Sequence, residues 1–161
     1  MATRTKSQTV VGEQQLVTFT LGQEEYGVDI GTVREINRLT DITHVPKAPE
    51  FVEGLINLRG TVVPIVDLRK RFDIEPAGDE KQRRIILVDV GGRTIGVIVD
   101  SVSEVLTLSA EHVDEVPATI SSGVNTEFLR GVGKIGERLM LLLDLDSILS
   151  AQELGELNTV E

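Results

Sequence analysis

Arg59 and Arg130 are the first residues of this chain whose type and setting could do chemistry. Each is the centre of a Leu-Arg-Gly triplet, at 58–60 and at 129–131. A guanidinium presents a planar fork of donors that fits a carboxylate or a carbonyl, and it stays charged at any working pH. The triplet could therefore hold a substrate or a partner, tie parts of the fold together, or turn the chain through its glycine.

Other spacings suggest chemistry and then fail their own requirements. Gly131-Val-Gly133-Lys-Ile-Gly136 satisfies G-x-G-x-x-G, and Glu156 stands 20 residues beyond Gly136. A dinucleotide site needs a helix directly after those glycines. The run LMLLLDL reads as a strand instead, so the glycines are expected in a hairpin turn. His44 and His112 are the only histidines, and no cysteine is present to join them. They read as surface residues rather than metal ligands. Asp144-Leu-Asp146 begins like a calcium loop, but Ile148 and Leu149 stand where the next ligand and the glycine belong. Ser121-Ser122-Gly123 is not the serine elbow of a hydrolase. Asp67 and Asp144 could act as a carboxylate pair, though ending a strand and capping the next turn is their simpler role. No catalytic, cofactor-binding or metal-ligating constellation emerges, so a binding protein is expected rather than an enzyme.

Composition narrows the partners. The chain has 161 residues and 40% hydrophobic residues, enough for one domain or two very small ones. Net charge is -10 and aromatic residues make up 3%. A nucleic-acid binder needs a basic face and stacking platforms, and neither is visible. No apolar run approaches the roughly 20 residues that span a bilayer, so direct membrane insertion is not expected. The N-terminus lacks an apolar signal region, which makes the cytoplasm the expected compartment.

The elements that must position these residues come in two copies. Leu16–Ile36 aligns on Ile85–Val105 without a gap, an offset of 69. Val17, Phe19 and Leu21 alternate with polar residues, and their counterparts Ile86, Val88 and Val90 in the second copy stay apolar. That period of two is the strand signature. Gly22-Gln-Glu-Glu25 and Gly91-Gly-Arg-Thr94 read as four-residue hairpin loops. Further on, Leu58-Arg-Gly60 is matched with Leu129-Arg-Gly131 at an offset of 71, and Val66-Asp-Leu68 with Leu143-Asp-Leu145 at 77. The mismatch predicts an enlarged turn of about six extra residues between Gly131 and Leu143. Pro64 cannot donate to a ladder and is expected on an edge strand or at a bulge. One helical turn is expected after Asp67. Another starts near Asp146, with Ile148, Leu149 and Leu154 on its buried face. The fold class is all-β: two small five-stranded barrels sharing an interface, since closure removes edges and docking buries the rest.

The segments LVTFTLGQEEYGVDI, FVEGLINLRGTVVPIVDLR, GVIVDSVSEVL and LRGVGKIGERLMLLLDLD, in this order, resemble the CheW-type chemotaxis coupling proteins. The resemblance covers about residues 14 to 151. It implies two SH3-like barrels, over roughly 14–80 and 81–151, with strands able to exchange between them. Residues 1–13 are then a flexible tail, and 152–161 a helix end and tail. The absence of receiver or kinase segments makes the length resemble the free-standing coupling protein.

The resemblance further implies a non-catalytic adaptor, without cofactor, in cytoplasmic arrays at membrane receptors. Its partners would be the hairpin tip of chemoreceptors (methyl-accepting chemotaxis proteins), the regulatory domain of a chemotaxis histidine kinase and, in arrays, other copies of itself. The receptor groove carried over is Ile30, Val33, Glu35, Gly54, Arg59, Val99 and Val102. The kinase-facing residues are Val45, Ala118, Thr119 and Ile120. Three groove residues also have a structural role to weigh: core packing for Val33 and Val102, an internal bond to Glu35 or to a backbone carbonyl for Arg59. Two other classes compete with the adaptor. A small-ligand-binding β-barrel requires a deep pocket with convergent polar groups. An enzyme using carboxylates alone requires two acids facing one cleft.

Overall fold

Alternation of apolar and polar residues becomes strand nearly everywhere it occurs. The computed structural model describes residues 13–72, 74–75, 78–116 and 128–148. The strands are β1 (Glu13–Leu21), β2 (Glu24–Asp29), β3 (Val33–Arg38), β4 (Val52–Leu58), β5 (Thr61–Asp67), β6 (Arg84–Val90), β7 (Arg93–Val99), β8 (Ser101–Ser109), β9 (Val113–Asp114), β10 (Leu129–Ile135) and β11 (Arg138–Leu143). Two helical turns follow β5 and β11: α1 (Leu68–Phe72) and α2 (Leu145–Ile148). Leu149 and Leu154, expected on the last helix, lie outside the described residues.

The strands form two sheets, in the orders β8-β1-β2-β11-β10-β9 and β3-β6-β7-β5-β4. The fold is all-β, with two SH3-like barrels. The β1–β2 hairpin of the first copy sits in the sheet completed by β8 to β11 of the second. The β6–β7 hairpin of the second copy sits in the sheet completed by β3 to β5 of the first. Each sheet is thus a mixture of both copies.

The pairing corrects three expectations. First, the hairpin loops are two residues long, because Leu21 already pairs with Glu24 and Val90 with Arg93. Gly22, Gly91 and Gly92 have φ of 61°, 58° and 80°, the left-handed region that such short turns demand.

Second, the C-terminal half of the repeat keeps a constant offset of 77 with no insertion. Val52 pairs with Val66 and Leu129 with Leu143, and the next partners are Gly54 with Ile65 and Gly131 with Leu142. Arg59-Gly60 is the two-residue loop of the β4–β5 hairpin, with Leu58 opposite Thr61. Its counterpart is Gly136-Glu137, between Ile135 and Arg138. Arg130 lies inside β10 and is the mate of Glu53, not of Arg59. The two Leu-Arg-Gly triplets share letters but no position.

Third, Pro64 lies on an interior strand. Leu55 exchanges its backbone hydrogen bonds with Thr43, away from Pro64. Parallel pairing of β5 with β7 begins only at Ile65. In the other sheet it begins one residue earlier, at Leu141 with Tyr26. Leu141 is the mate of Pro64, so the missing N–H costs this sheet one ladder position.

Three apolar clusters hold the structure. One gathers Phe19, Tyr26 and Val28 from the first sheet with Val66, Val88, Val97 and Val99 from the second. The others belong to single sheets, around Ile65 and Ile85 and around Leu16 and Leu142. Gly96 stays bare because a Cβ there would come within 2.5 Å of Ile65 Cδ1, and its mate Gly27 faces Met140 Sδ at 2.8 Å.

Candidate functional site

Glu35 lies on β3 and Arg59 in the β4–β5 loop, at opposite edges of the five-stranded sheet. They form a two-pronged ion pair: Arg59 Nη2 donates to Glu35 Oε2, and Nη1 to Oε1 at 3.4 Å. A pair that spans both edges requires the sheet to curl. The bridge between Thr43, in the β3–β4 connection, and Leu55 on β4 brings the chain beyond β3 onto β4 as well. Arg59 therefore straps one barrel closed rather than joining the two. Its φ is 52°, in a loop where Gly60 has 88° and Asn57 Oδ1 accepts the Gly60 N–H at 2.8 Å. The hydrogen-bonded guanidinium holds the Glu35 carboxyl below its usual range. Even so, 70% of the Arg59 side chain faces solvent.

The other barrel has its own strap. Glu104 on β8 is the mate of Glu35, and Arg138 at the start of β11 lies 3.7 Å from it. Arg138 also donates to both oxygens of Glu25 on β2 at 2.8 Å. The arginine that corresponds to Arg59 in role is therefore Arg138. The sequence held the signal in the alignment of Glu35 with Glu104. The triplet match at an offset of 71 hid it.

The remaining groove residues cluster around the shared core. Ile30, Val33 and Val102 are half-buried and pack against the cluster common to both sheets. Val33 and Val102 are mates, opposite Val88 and Phe19 respectively. Val99 is fully buried, which corrects its placement as a contact residue: it packs the wall behind the others. Gly54 is buried with φ 149°, and a Cβ would fall 2.1 Å from the Thr43 carbonyl oxygen. It shapes the backbone and offers no side chain to a partner. Val45 is half-buried in the β3–β4 connection. Ala118, Thr119 and Ile120 lie outside the described residues.

Sequence reasoning missed a buried ionic cluster. Asp67, Arg69 and Asp100 are 3%, 7% and 4% exposed. Arg69 Nη2 lies 3.3 Å from Asp67 Oδ2, and Nη1 lies 3.3 Å from Asp100 Oδ1. Asp67 Oδ1 also accepts the Arg69 backbone N–H at 2.9 Å, which caps α1. Asp100 stands where the chain passes from β7 to β8, and its Oδ2 accepts the Gly22 N–H at 2.8 Å. The cluster thus ties α1, the crossover and the β1–β2 loop together. Beside it, Arg71 sits 4.9 Å from the Phe51 ring and 4.8 Å from that of its mate Phe128.

The carboxylate-only enzyme finds no support in this geometry. Asp67 is engaged by Arg69. Asp144 Oδ1 accepts from the Asp146 N–H and Oδ2 from the Ser147 hydroxyl, as a cap for α2. Among the described residues no group of three His, Asp or Glu could hold a metal, and no helix is long and apolar enough to cross a membrane. A cavity of about 270 Å³ lies between β2, β11 and α2. That falls below the roughly 300–1,000 Å³ usual for small-molecule sites.

Comparison with known proteins follows the same outline. The CheW-like domain family matches residues 15–153. The chemotaxis protein CheW of Klebsiella aerogenes is 39% identical over 147 residues, covering 91% of this chain and 88% of that one. The CheW of Treponema pallidum is 38% identical, covering 89% and 86%. The crystal structure of the scaffolding protein CheW from Thermoanaerobacter tengcongensis superposes with a TM-score of 0.78 at 35% identity, over 87% of this chain and 94% of that one.

Proposed function

Because the chain belongs to the CheW-like domain family, we propose that it is a non-catalytic adaptor that couples chemoreceptors to a chemotaxis histidine kinase. Kinase activity then follows receptor state. The observation that carries this reading is the match to chemotaxis CheW proteins along nearly the whole chain.

The receptor contributes the hairpin tip of its cytoplasmic helices. An amphipathic helix needs an apolar strip with polar edges. Ile30, Val33 and Val102, half-buried against the shared core, would supply such a strip, and the Glu35–Arg59 pair its polar edge. Gly54 and Val99 support that surface from within. The kinase contributes its regulatory domain, met around Val45 and by Ala118, Thr119 and Ile120. The complex gathers at the cytoplasmic face of receptor-bearing membranes.

Reconstitution tests the proposal. Receptor membranes, kinase and this protein are combined, and phosphate transfer is measured with and without receptor ligand. Omission of this protein should abolish ligand control of the kinase. Unchanged control in its absence would overturn the adaptor reading.

A further inference from the structure

The two copies differ most where the buried ionic cluster should recur. Asp144 is the mate of Asp67, as Leu145 is of Leu68; the parallel pairs Leu142–Gly27 and Ile65–Gly96 fix that register. Arg69 is then replaced by Asp146, and Asp100 by Gly31. The hydrogen-bonded partners Thr20 and Ser101, 2.7 Å apart, become Asp89 and Thr32. Of these replacements, Asp146, Asp89 and Thr32 line the cavity of about 270 Å³, together with Asp29, Arg130 and Asp144. Where one copy buries a guanidinium, the other has a cavity.

We propose that this cavity is a socket for the guanidinium of an arginine presented by a partner protein. The internal copy is the template. There Asp67 keeps its N-cap bond to residue 69 and still engages a guanidinium. Asp144 makes the same cap bond, to Asp146 N at 3.1 Å, and stands at the matching position of the repeat, where its Oδ2 accepts the Ser147 hydroxyl at 3.0 Å. Asp29 accepts from Gly31 N at 2.9 Å and adds a second carboxylate in place of Asp100. Asp89 is engaged by Arg34 at 3.2 Å, which leaves Asp29, Asp144 and Asp146 against Arg130. The excess is anionic, as a cation requires. Arginine fits better than lysine because the template is filled by a planar fork, which meets carboxylates in pairs. That the arginine comes from a receptor or kinase rests on the adaptor reading; the chemistry of the socket does not.

The test has two arms. In the first, the full chain labelled with ¹⁵N is titrated with N-acetyl-arginine-amide, with N-acetyl-lysine-amide as comparison. Saturable shifts are expected at the amides of Asp29, Thr32, Asp89, Asp144 and Asp146, several-fold weaker for the lysine probe. The Asp146→Arg variant, and the pair Gly31→Asp with Asp146→Arg, rebuild the template and should abolish these shifts. The pair should also raise Tm; a Cβ at Gly31 meets Asp29 Oδ1 at 3.3 Å and nothing nearer. Non-saturating shifts, equal response to both probes, or unaltered binding in Asp146→Arg would each overturn the socket. In the second arm, Asp146→Arg is added to receptor membranes and to kinase separately. A several-fold loss of binding to one of them, with Tm kept, is expected. Full binding to both would overturn the assignment to a partner's arginine. If the wild-type protein binds neither, the adaptor reading fails while the probe result stands by itself.

Discussion

Replacing Arg69 by methionine tests how the halves are held. The side chain is 7% exposed, between Asp67 and Asp100 at 3.3 Å each. Methionine fills much of the same space and is flexible enough to follow it, so little of the effect comes from a cavity. What remains is two buried carboxylates without their cation. Removing one partner of a buried ion pair costs about 3–5 kcal/mol. Each carboxylate keeps one backbone donor, the N–H of residue 69 and that of Gly22, which places the loss near the lower end, about 3 kcal/mol. For a chain of this length that lowers Tm by about 6–12 °C. Urea unfolding followed by far-UV circular dichroism measures it, with the native spectrum unchanged. Adding Asp67→Asn and Asp100→Asn to the methionine variant removes both stranded charges and should restore more than half of the loss. A single-variant loss below about 1 kcal/mol, the size of an exposed pair, would refute the reasoning. So would a triple variant no better than the single one.

Other outcomes follow from the same geometry. Gly96→Ala places a methyl 2.5 Å from Ile65 Cδ1 and 2.9 Å from Ile85 Cγ2, and should cost about 1–3 kcal/mol in urea unfolding. Arg59→Ala should leave the fold intact and abolish receptor control in the reconstituted kinase assay; a large Tm loss with normal control would mark the strap as purely structural. Glu35 is held below its usual range by Arg59, so the pair's stabilisation is present above the ordinary carboxylate pKa and disappears as pH falls through the lowered one. The Tm difference between wild type and Arg59→Ala should accordingly shrink at acid pH, read by thermal scans at neutral and low pH. Arg138→Ala opens the matching strap of the other barrel. It should spare receptor control more than Arg59→Ala does, whereas Arg130→Ala should leave Tm unchanged.

Much of the fold was legible because strand alternation is local. Val17, Phe19 and Leu21 declare a strand without reference to anything distant, and their mates 69 residues on declare it again. The membership of the CheW-like family was also written in the order of residues. The candidate site was legible only in part. Val33, Val102 and Glu35 stood out through the repeat, but Gly54 carried no mark of its burial.

The tertiary structure alone decided which strands pair, because pairing joins residues 86 positions apart, such as Thr18 and Glu104, and local periodicity holds no register between them. From that pairing came the mixing of the two copies in each sheet, the correct repeat offset and the strap between Glu35 and Arg59. It also buried Arg69 between two aspartates in one half and left a cavity at its mate, where the sequence showed only Asp146 and Gly31.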